Sequence, residues 1–435
     1  MRSRSNLFKR MGLTFFMICL LRSTASAQMV AGPILGDIGE DHAQLWVRTQ
    51  EASQVRWTVS TREDFSLAET TPSAASLQEH NFSVTLKTEH LKPATTYFYN
   101  VLINGTPVWQ KDYPSFTTAT SAGQSTHLRI AFSSCLGHKA QDSDPQWAQM
   151  AERPFDLLLL LGDQHYADTT DVTVLRDQYL VYRSNGDFRR IAQRKPVYTI
   201  WDDHDYGGND TDSTLPGKEG SLMVFKEVWP NPGFGESGNP GVYYSFIRGD
   251  VEFFMLDGRY YRVPKLLKNG RNKTMLGARQ LQWLKEGLSR SKAKVKIIVS
   301  GVEINGAGGK DSWAYYRHER KELLDFIITQ KIEGVLFLSG DSHYTAAFQM
   351  KEGFLEITSG PLGSSPSVPP KNPYLFKTFN RGHYFSILDI DTTLPEPSIR
   401  WEVEGNLLDA MHVQEPCTLD WKSIIRQKPA RCLEP

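Results

Sequence analysis

The hydrophobic pattern of this chain has two regimes. From Gln28 to about Thr120, short segments alternate apolar and polar residues: Ala43 to Arg48, Val55 to Val59, Phe82 to Leu86 and Thr96 to Val101. A period of two belongs to strands with one buried face, and turn signals such as Asn104-Gly105 separate the segments. Nothing here has a helical period, so the pattern predicts a small all-β sandwich over residues 28–120. After a Thr-, Ser- and Gly-rich linker ending at Ser125 the pattern changes. Leu157 to Leu161 is a run of five leucines with neither a polar face nor alternation, closed by Gly162. Such a run predicts a strand covered on both faces, as in a parallel sheet. Comparable runs occupy 127–132, 196–201, 251–256 and 334–339. Helical periods fall between them: Leu281, Leu284 and Leu288 share one face of 276–288, and Leu323, Leu324, Ile327 and Ile328 one face of 317–330. The strand Lys296 to Ser300 separates these two helices. Gly-, Pro- and Ser-rich stretches at 211–219, 231–240 and 361–374 predict long loops on the rim of a site.

The residues just past each apolar run are also alike in kind. The runs lead into Ser133-Ser134-Cys135, Gly162-Asp163 with Tyr166, Asp202-Asp203-His204-Asp205, Asp257-Gly258-Arg259, and Gly340-Asp341-Ser342-His343. Open α/β sheets place ligands at the C-terminal edge of their strands, so five such ends predict one site. Singly, each has a bland reading: Asp163 as a helix cap, Tyr166 as rim, His343 as a satisfied core histidine, Arg259 as the partner of Asp257. Asp202, Asp203 and Asp205 crowd negative charge, which is costly unless a cation neutralises it. Taken together, the ends predict a metal centre. Two cations about 4 Å apart, bridged by one carboxylate, would clamp a phosphate and generate hydroxide. Asp163, leaving the most apolar strand, is the expected bridge. A phenol with a pKa of about 10 needs a strongly Lewis-acidic ion to ionise, so Tyr166 favours ferric iron over zinc or magnesium. Cys135, as thiolate, suits the same softer ion, whereas Asp203 and Asp341 suit Ca2+ or another oxygen-preferring cation.

Composition adds limits. The 435 residues predict two domains, and 40% apolar content builds a sizeable core. With 49 basic and 49 acidic residues, bulk attraction to nucleic acid or anionic membrane is excluded, although a local positive patch is not. Arg2, Arg4, Lys9 and Arg10 precede an apolar stretch from Met11 to Leu21, and Ala25-Ser26-Ala27 supplies small residues before Gln28. That predicts a signal peptide over 1–27 and an exported, periplasmic or secreted protein with no membrane-spanning segment. Of the four cysteines, Cys19 leaves with the signal, Cys417 and Cys432 are spaced for a bridge, and Cys135 remains as a ligand candidate.

The same motifs resemble a known family. Phe-Ser-Ser-Cys135, Gly-Asp163-Gln-His-Tyr166, Trp201-Asp-Asp-His-Asp205, Leu-Asp257-Gly-Arg259, Thr274-Met-Leu-Gly277 with Gln280 and Trp283, and Ser339-Gly-Asp-Ser-His343 look like the PhoD-type alkaline phosphatases. The likeness spans roughly Gln28 to Asp391. It departs at the leader, where Arg2-Ser-Arg4 and Lys9-Arg10 do not form the twin-arginine pattern common in that family, so the general secretory route is expected. The resemblance implies an αββα metallophosphoesterase domain over residues 125–404, preceded by the sandwich and followed by a tail at 405–435. It also implies Fe3+ and Ca2+ held by Cys135, Asp163, Tyr166, Asp203, Asp341 and His343, and hydrolysis of small phosphate esters. In that setting His204 would protonate the leaving oxygen, Arg259 would hold the non-bridging oxygens through its fork, and His383 would line the pocket wall. The chain is expected to act as a monomer. A phosphodiesterase or phospholipase D-like hydrolase is the alternative, and a metal-stabilised secreted binding protein is the reading outside the enzymes.

Overall fold

The computed structural model describes residues 28–306 and 311–407, together with the backbone of 412–419 and 432–433. The leader lies outside the described residues, as do the side chains of Cys417 and Cys432 and hence the bridge expected between them. The amino-terminal region is β throughout. β1 (Met29–Ile38), β2 (Ala43–Thr49), β3 (Ser53–Ser60), β4 (Ser83–Thr88) and β5 (Thr96–Ile103) are its main strands. They form two antiparallel sheets, β1-β2-β4 and a second centred on the β3–β5 pair. Alternation explains the packing: Val55, Trp57 and Val59 of β3 enter a core with Leu45 and Val47 of β2, while Gln54 and Arg56 stay outside.

The remaining chain runs β6 (His127–Ser133), α1 (Asp144–Ala151), β7 (Leu157–Leu161), α2 (Val172–Tyr182), α3 (Gly186–Ala192), β8 (Val197–Ile200) and α4 (Lys218–Val228). It continues with β9 (Tyr244–Arg248), β10 (Val251–Met255), α5 (Gly277–Arg290), β11 (Val295–Ser300), α6 (Arg317–Thr329) and β12 (Val335–Ser339). The last strands are β13 (Thr345–Gln349), β14 (Leu355–Thr358), β15 (Leu375–Phe379), β16 (Gly382–Asp391), β17 (Ser398–Leu407), β18 (His412–Leu419) and β19 (Cys432–Leu433). Two seven-stranded mixed sheets result, ordered β8-β7-β6-β16-β17-β18-β19 and β9-β10-β11-β12-β14-β13-β15. Strands β18 and β19 thus extend the first sheet into the stretch read as a tail.

Burial shows why the layers are helix, sheet, sheet, helix. In the second sheet, Phe253, Ile297, Leu336 and Leu338 join the core containing Leu157 to Leu161, whereas Phe254, Ile298 and Phe337 pack with Leu284 of α5 and Leu323 of α6. On the first sheet Trp147 of α1 and Phe188 of α3 join the central cluster. All five leucines of β7 are essentially unexposed, which is why that run shows no polar period. The sandwich is fused to this half. Ala31, Ile34 and Trp46 belong to the central core, Trp46 Nε1 donates to the Glu227 carbonyl at 2.8 Å, and the Pro230 carbonyl accepts from Asp37 N at 2.9 Å.

Candidate metal centre

The centre is built where β6, β7, β8 and β12 end. Register sets these ends side by side: Cys135 N donates to the Gly162 carbonyl at 3.3 Å, and Gly340 N to the Gly301 carbonyl, just past β11, at 3.0 Å. Cys135, Asp163, Asp341 and His343 all have φ between 55° and 63°, in the left-handed region. L-residues adopt it at a cost and only when their surroundings over-determine it, a condition concentrated at functional sites. Gly162 and Gly340 allow the close approach. A Cβ on Gly162 would come within 2.6 Å of Asp202 Cβ, and one on Gly340 within 2.7 Å of Ser134 Cβ.

Four groups of donor atoms each fit within 4.8 Å: Cys135–Asp163–His343, Asp163–Asp203–His204, Asp163–Asp202–Asp203–Asp341 and Asp203–Asp210–Asp311. Asp163 belongs to three of them. Tyr166 joins from the side, its hydroxyl 3.4 Å from Asp163 Oδ2 and 3.2 Å from His343 Nε2, and it accepts from Ser364 Oγ at 2.7 Å. His343 Nδ1 donates to the Ser365 carbonyl at 2.9 Å, which leaves the Nε2 lone pair facing the cluster, as a metal-binding imidazole requires. The fourth group is already neutralised: Lys265 sits 2.6 Å from Asp210, Arg259 2.6 Å from Asp311, and Arg262 also pairs with Asp311.

Electrostatics tests whether cations belong here. Burial, then Asp203, Asp202, Asp205 and Asp341, push the Asp163 carboxyl far above the carboxylate range. Burial, then Asp202 and Asp203, do the same to Asp341. Burial and Asp163 raise the Cys135 thiol, and burial, with Cys135 next, raises the Tyr166 phenol. Burial also holds His343 below the usual imidazole value, as a neutral ligand. Among these carboxyls Asp203 alone is kept low: burial opposes its ionisation, but Arg259 and His204 outweigh it. Thiol, phenol and carboxyls would thus keep their protons around an empty cluster, and divalent or trivalent charge is what releases them. The residues fit two cations of different character, one beside sulfur, phenol and imidazole, the other among carboxylates.

The structure revises the readings of Arg259 and Asp257 and locates His383. Arg259 is fully buried and does not face a substrate space. Its Nε is 2.6 Å from Asp202 Oδ1, its second terminal nitrogen lies 2.6 Å from Asp311 and 3.5 Å from Asp203, and Nη1 donates to the Thr211 carbonyl. The fork expected to clamp phosphate is occupied by carboxylates. Asp257 does not pair with the guanidinium: its Oδ1 accepts from Trp201 Nε1 and from the backbone N of Arg259 and Tyr260, which fixes the turn. His383, on β16, is partly buried and hydrogen-bonded to the backbone of Ser364, whose hydroxyl donates to Tyr166.

Other residues at the site were given no individual role by the sequence. Asp205 accepts from Asp163 N at 2.6 Å, Gln164 N at 3.0 Å and Asp202 N at 3.1 Å, orienting the turns that carry Asp163 and Asp202. Asp168 Oδ1 is 2.6 Å from His204 Nδ1, and His138 stands against Tyr166 at 4.5 Å between ring centres. The His204 ring lies on Tyr166 at 4.0 Å. The signal that could have identified Asp205 is its place at the third position of Asp202's short helix, a capping box.

Comparison with known proteins bears on this geometry. Residues 130–384 match the PhoD-like phosphatase family, and residues 26–121 match a domain of unknown function. Alkaline phosphatase D of Bacillus subtilis (strain 168) is 22% identical over 405 residues, covering 78% of this chain and 68% of its own. The structure of PhoD superposes with a TM-score of 0.80 at 18% identity, covering 94% of this chain and 93% of that one. A purple acid phosphatase from yellow lupin (Lupinus luteus) seeds does so with 0.64 at 15% identity, over 90% and 75%. At such identities the two structures speak to the fold alone.

Proposed function

The chain belongs to the PhoD-like phosphatase family, a family of metal-dependent phosphoric ester hydrolases, and from that premise we propose an exported enzyme with two cations that share Asp163. The observation that carries this reading is the membership of Asp163 in three donor groups of differing softness. Cys135, Tyr166 and His343 are assigned with Asp163 to Fe3+, and Asp203 and Asp341, with Asp202 beside them, to Ca2+. Bound there, the cations supply positive charge against the phosphoryl oxygens and lower the pKa of a nucleophilic water.

The protein's own groups do the rest. Asp205 fixes the backbone of Asp163 and Asp202, so the carboxylates need not reorganise when charge develops. Asp168 accepts from His204 Nδ1, and the Tyr166 ring fixes the imidazole plane, so a proton on Nε2 is the one available to the departing oxygen. Arg259 holds Asp202 and Asp203 in place from behind. Export rests on the leader at 1–27, and among the described residues no helix is long and apolar enough to cross a membrane. The enzyme acts as a monomer on small phosphate esters.

Protein purified without chelator should contain iron and calcium and hydrolyse p-nitrophenyl phosphate or bis-p-nitrophenyl phosphate. The ratio of the two rates decides between monoester and diester preference. A Tyr166 phenolate on ferric iron should colour the enzyme by charge transfer, and Tyr166→Phe should remove the visible band. A colourless, active, iron-free enzyme would overturn the ferric assignment alone. No turnover of either ester by metal-replete protein would overturn the hydrolase reading.

A further inference from the structure

Two loops beside the metal centre present large apolar side chains to solvent. Leu266 is 94% exposed and Leu267 50%, at the tip of the segment between β10 and α5, and Val368 is 80% exposed between β14 and β15. Scattered exposed leucines are ordinary, but strongly exposed apolar tips on two loops that both reach one site are not. Both loops are anchored at the cluster. Lys265 reaches Asp210, whose backbone N–H donates to Asp203 Oδ2 at 2.8 Å, and Ser367 N donates to the His343 carbonyl at 2.8 Å.

Along the chain the charge flanking these tips has one sign, with Lys265 already paired to Asp210. The first loop carries Lys265, Lys268, Arg271 and Lys273, with no Asp or Glu between Asp257 and Glu286. The second is followed by Lys371, Lys377 and Arg381, with no Asp or Glu between Glu356 and Asp389. Lys268, Arg271 and Lys371 are exposed. Lys273 is tucked under the first loop, donating to the Lys265 carbonyl and lying 5.9 Å from the Tyr315 ring, so the tip is braced from below. A chain with zero net charge therefore carries basic and exposed apolar side chains together in both of these loops.

We propose that this rim docks on an anionic lipid bilayer, with Leu266, Leu267 and Val368 entering the headgroup layer and the flanking Lys and Arg meeting anionic headgroups. Apolar tips ringed by basic residues are the composition of an interfacial anchor. A soluble polyanion would use the charge and leave the apolar tips in water. A second copy of the rim would meet it with like charge. Docking here turns the mouth of the metal centre toward the lipid surface.

The test is co-sedimentation of the full metal-loaded protein with vesicles of phosphatidylcholine, with and without phosphatidylglycerol. Binding should require phosphatidylglycerol and weaken in high salt, when the charges are screened. The double variant Leu266→Ser, Leu267→Ser should bind about tenfold or more weakly, as should Val368→Ser to a smaller degree. Lys268→Glu with Arg271→Glu should remove the salt-sensitive part. All of these positions lie on exposed loop tips, so turnover of soluble nitrophenyl esters should be unchanged, which keeps the hydrolase reading separate from this one. Equal binding to both vesicle types, wild-type binding by the leucine variants, or retention on heparin without vesicle binding would each overturn the proposal.

Discussion

Arg259 shows how a residue can be correctly located and wrongly employed. A guanidinium at a strand end reads as a substrate clamp because the end is visible in the sequence and its partners are not. Asp202 is 57 residues away, and only the fold sets its carboxylate 2.6 Å from Nε. Removing one member of a buried ion pair typically costs about 3–5 kcal/mol, because the remaining charge is stranded. Arg259→Ala is therefore expected to lose stability of that order in urea unfolding, with phosphate inhibition of any remaining activity little changed. A stable variant with weakened phosphate inhibition would return Arg259 to the substrate. The donor types of Cys135, Asp163, Asp341 and His343 were legible because they lie just past three of the apolar runs. Their left-handed backbone was not, since φ at a non-glycine residue is set by tertiary surroundings. Asp168 and His138 were equally hidden, lying in loops with no pattern of their own.

At the scale of elements, periodicity is informative where a segment is long. The helices read over 276–288 and 317–330 appear as Gly277–Arg290 and Arg317–Thr329. β13 and β15 escape such a reading, because short strands at a sheet margin leave too few residues to show a period. The turn between β1 and β2 holds a charge device of its own. His42 lies between Asp37 at 2.9 Å and Asp41 at 2.7 Å, and the bond to Asp37, against partial burial, raises its pKa from 6.5 to about 9. The folded form holds this proton more tightly than the unfolded one. The resulting stability is complete below about pH 6.5 and lost as pH rises through about 9. His42→Gln should lower the melting temperature near neutral pH, and the two proteins should converge by about pH 10. A gap that persisted unchanged across that range would assign the effect to packing.

Across the whole molecule, the amino-terminal sandwich shares a core with the catalytic half. Arg183, buried after α2, lies 4.5 Å from the Trp46 ring of β2 and 4.1 Å from that of Trp229. A desolvated cation between aromatic faces is a strong, geometrically selective contact. Trp46→Ala should cost about 3–5 kcal/mol, as large-to-small core changes do, and be detected as a lower urea midpoint for the catalytic half as well as the sandwich. Two separate transitions, with the catalytic one unmoved, would show that the halves fold independently. The order of strands in the first sheet has a consequence in time. β6, which delivers Cys135, lies between β7 and β16, and Leu128 pairs with Ile390 across most of the chain. Such distant pairing is slow to form, because a long loop must close before any contact rewards it. On the proposed export route, a chain threaded from its amino terminus exposes Cys135 early and β16 late. Through that interval the thiol stands on an unfinished sheet edge, open to oxidants and passing ions. On that route the edge beside Cys135 is closed only when the last third of the polypeptide arrives, and the receiving compartment would have to leave the thiol reduced until then and supply the proposed metals.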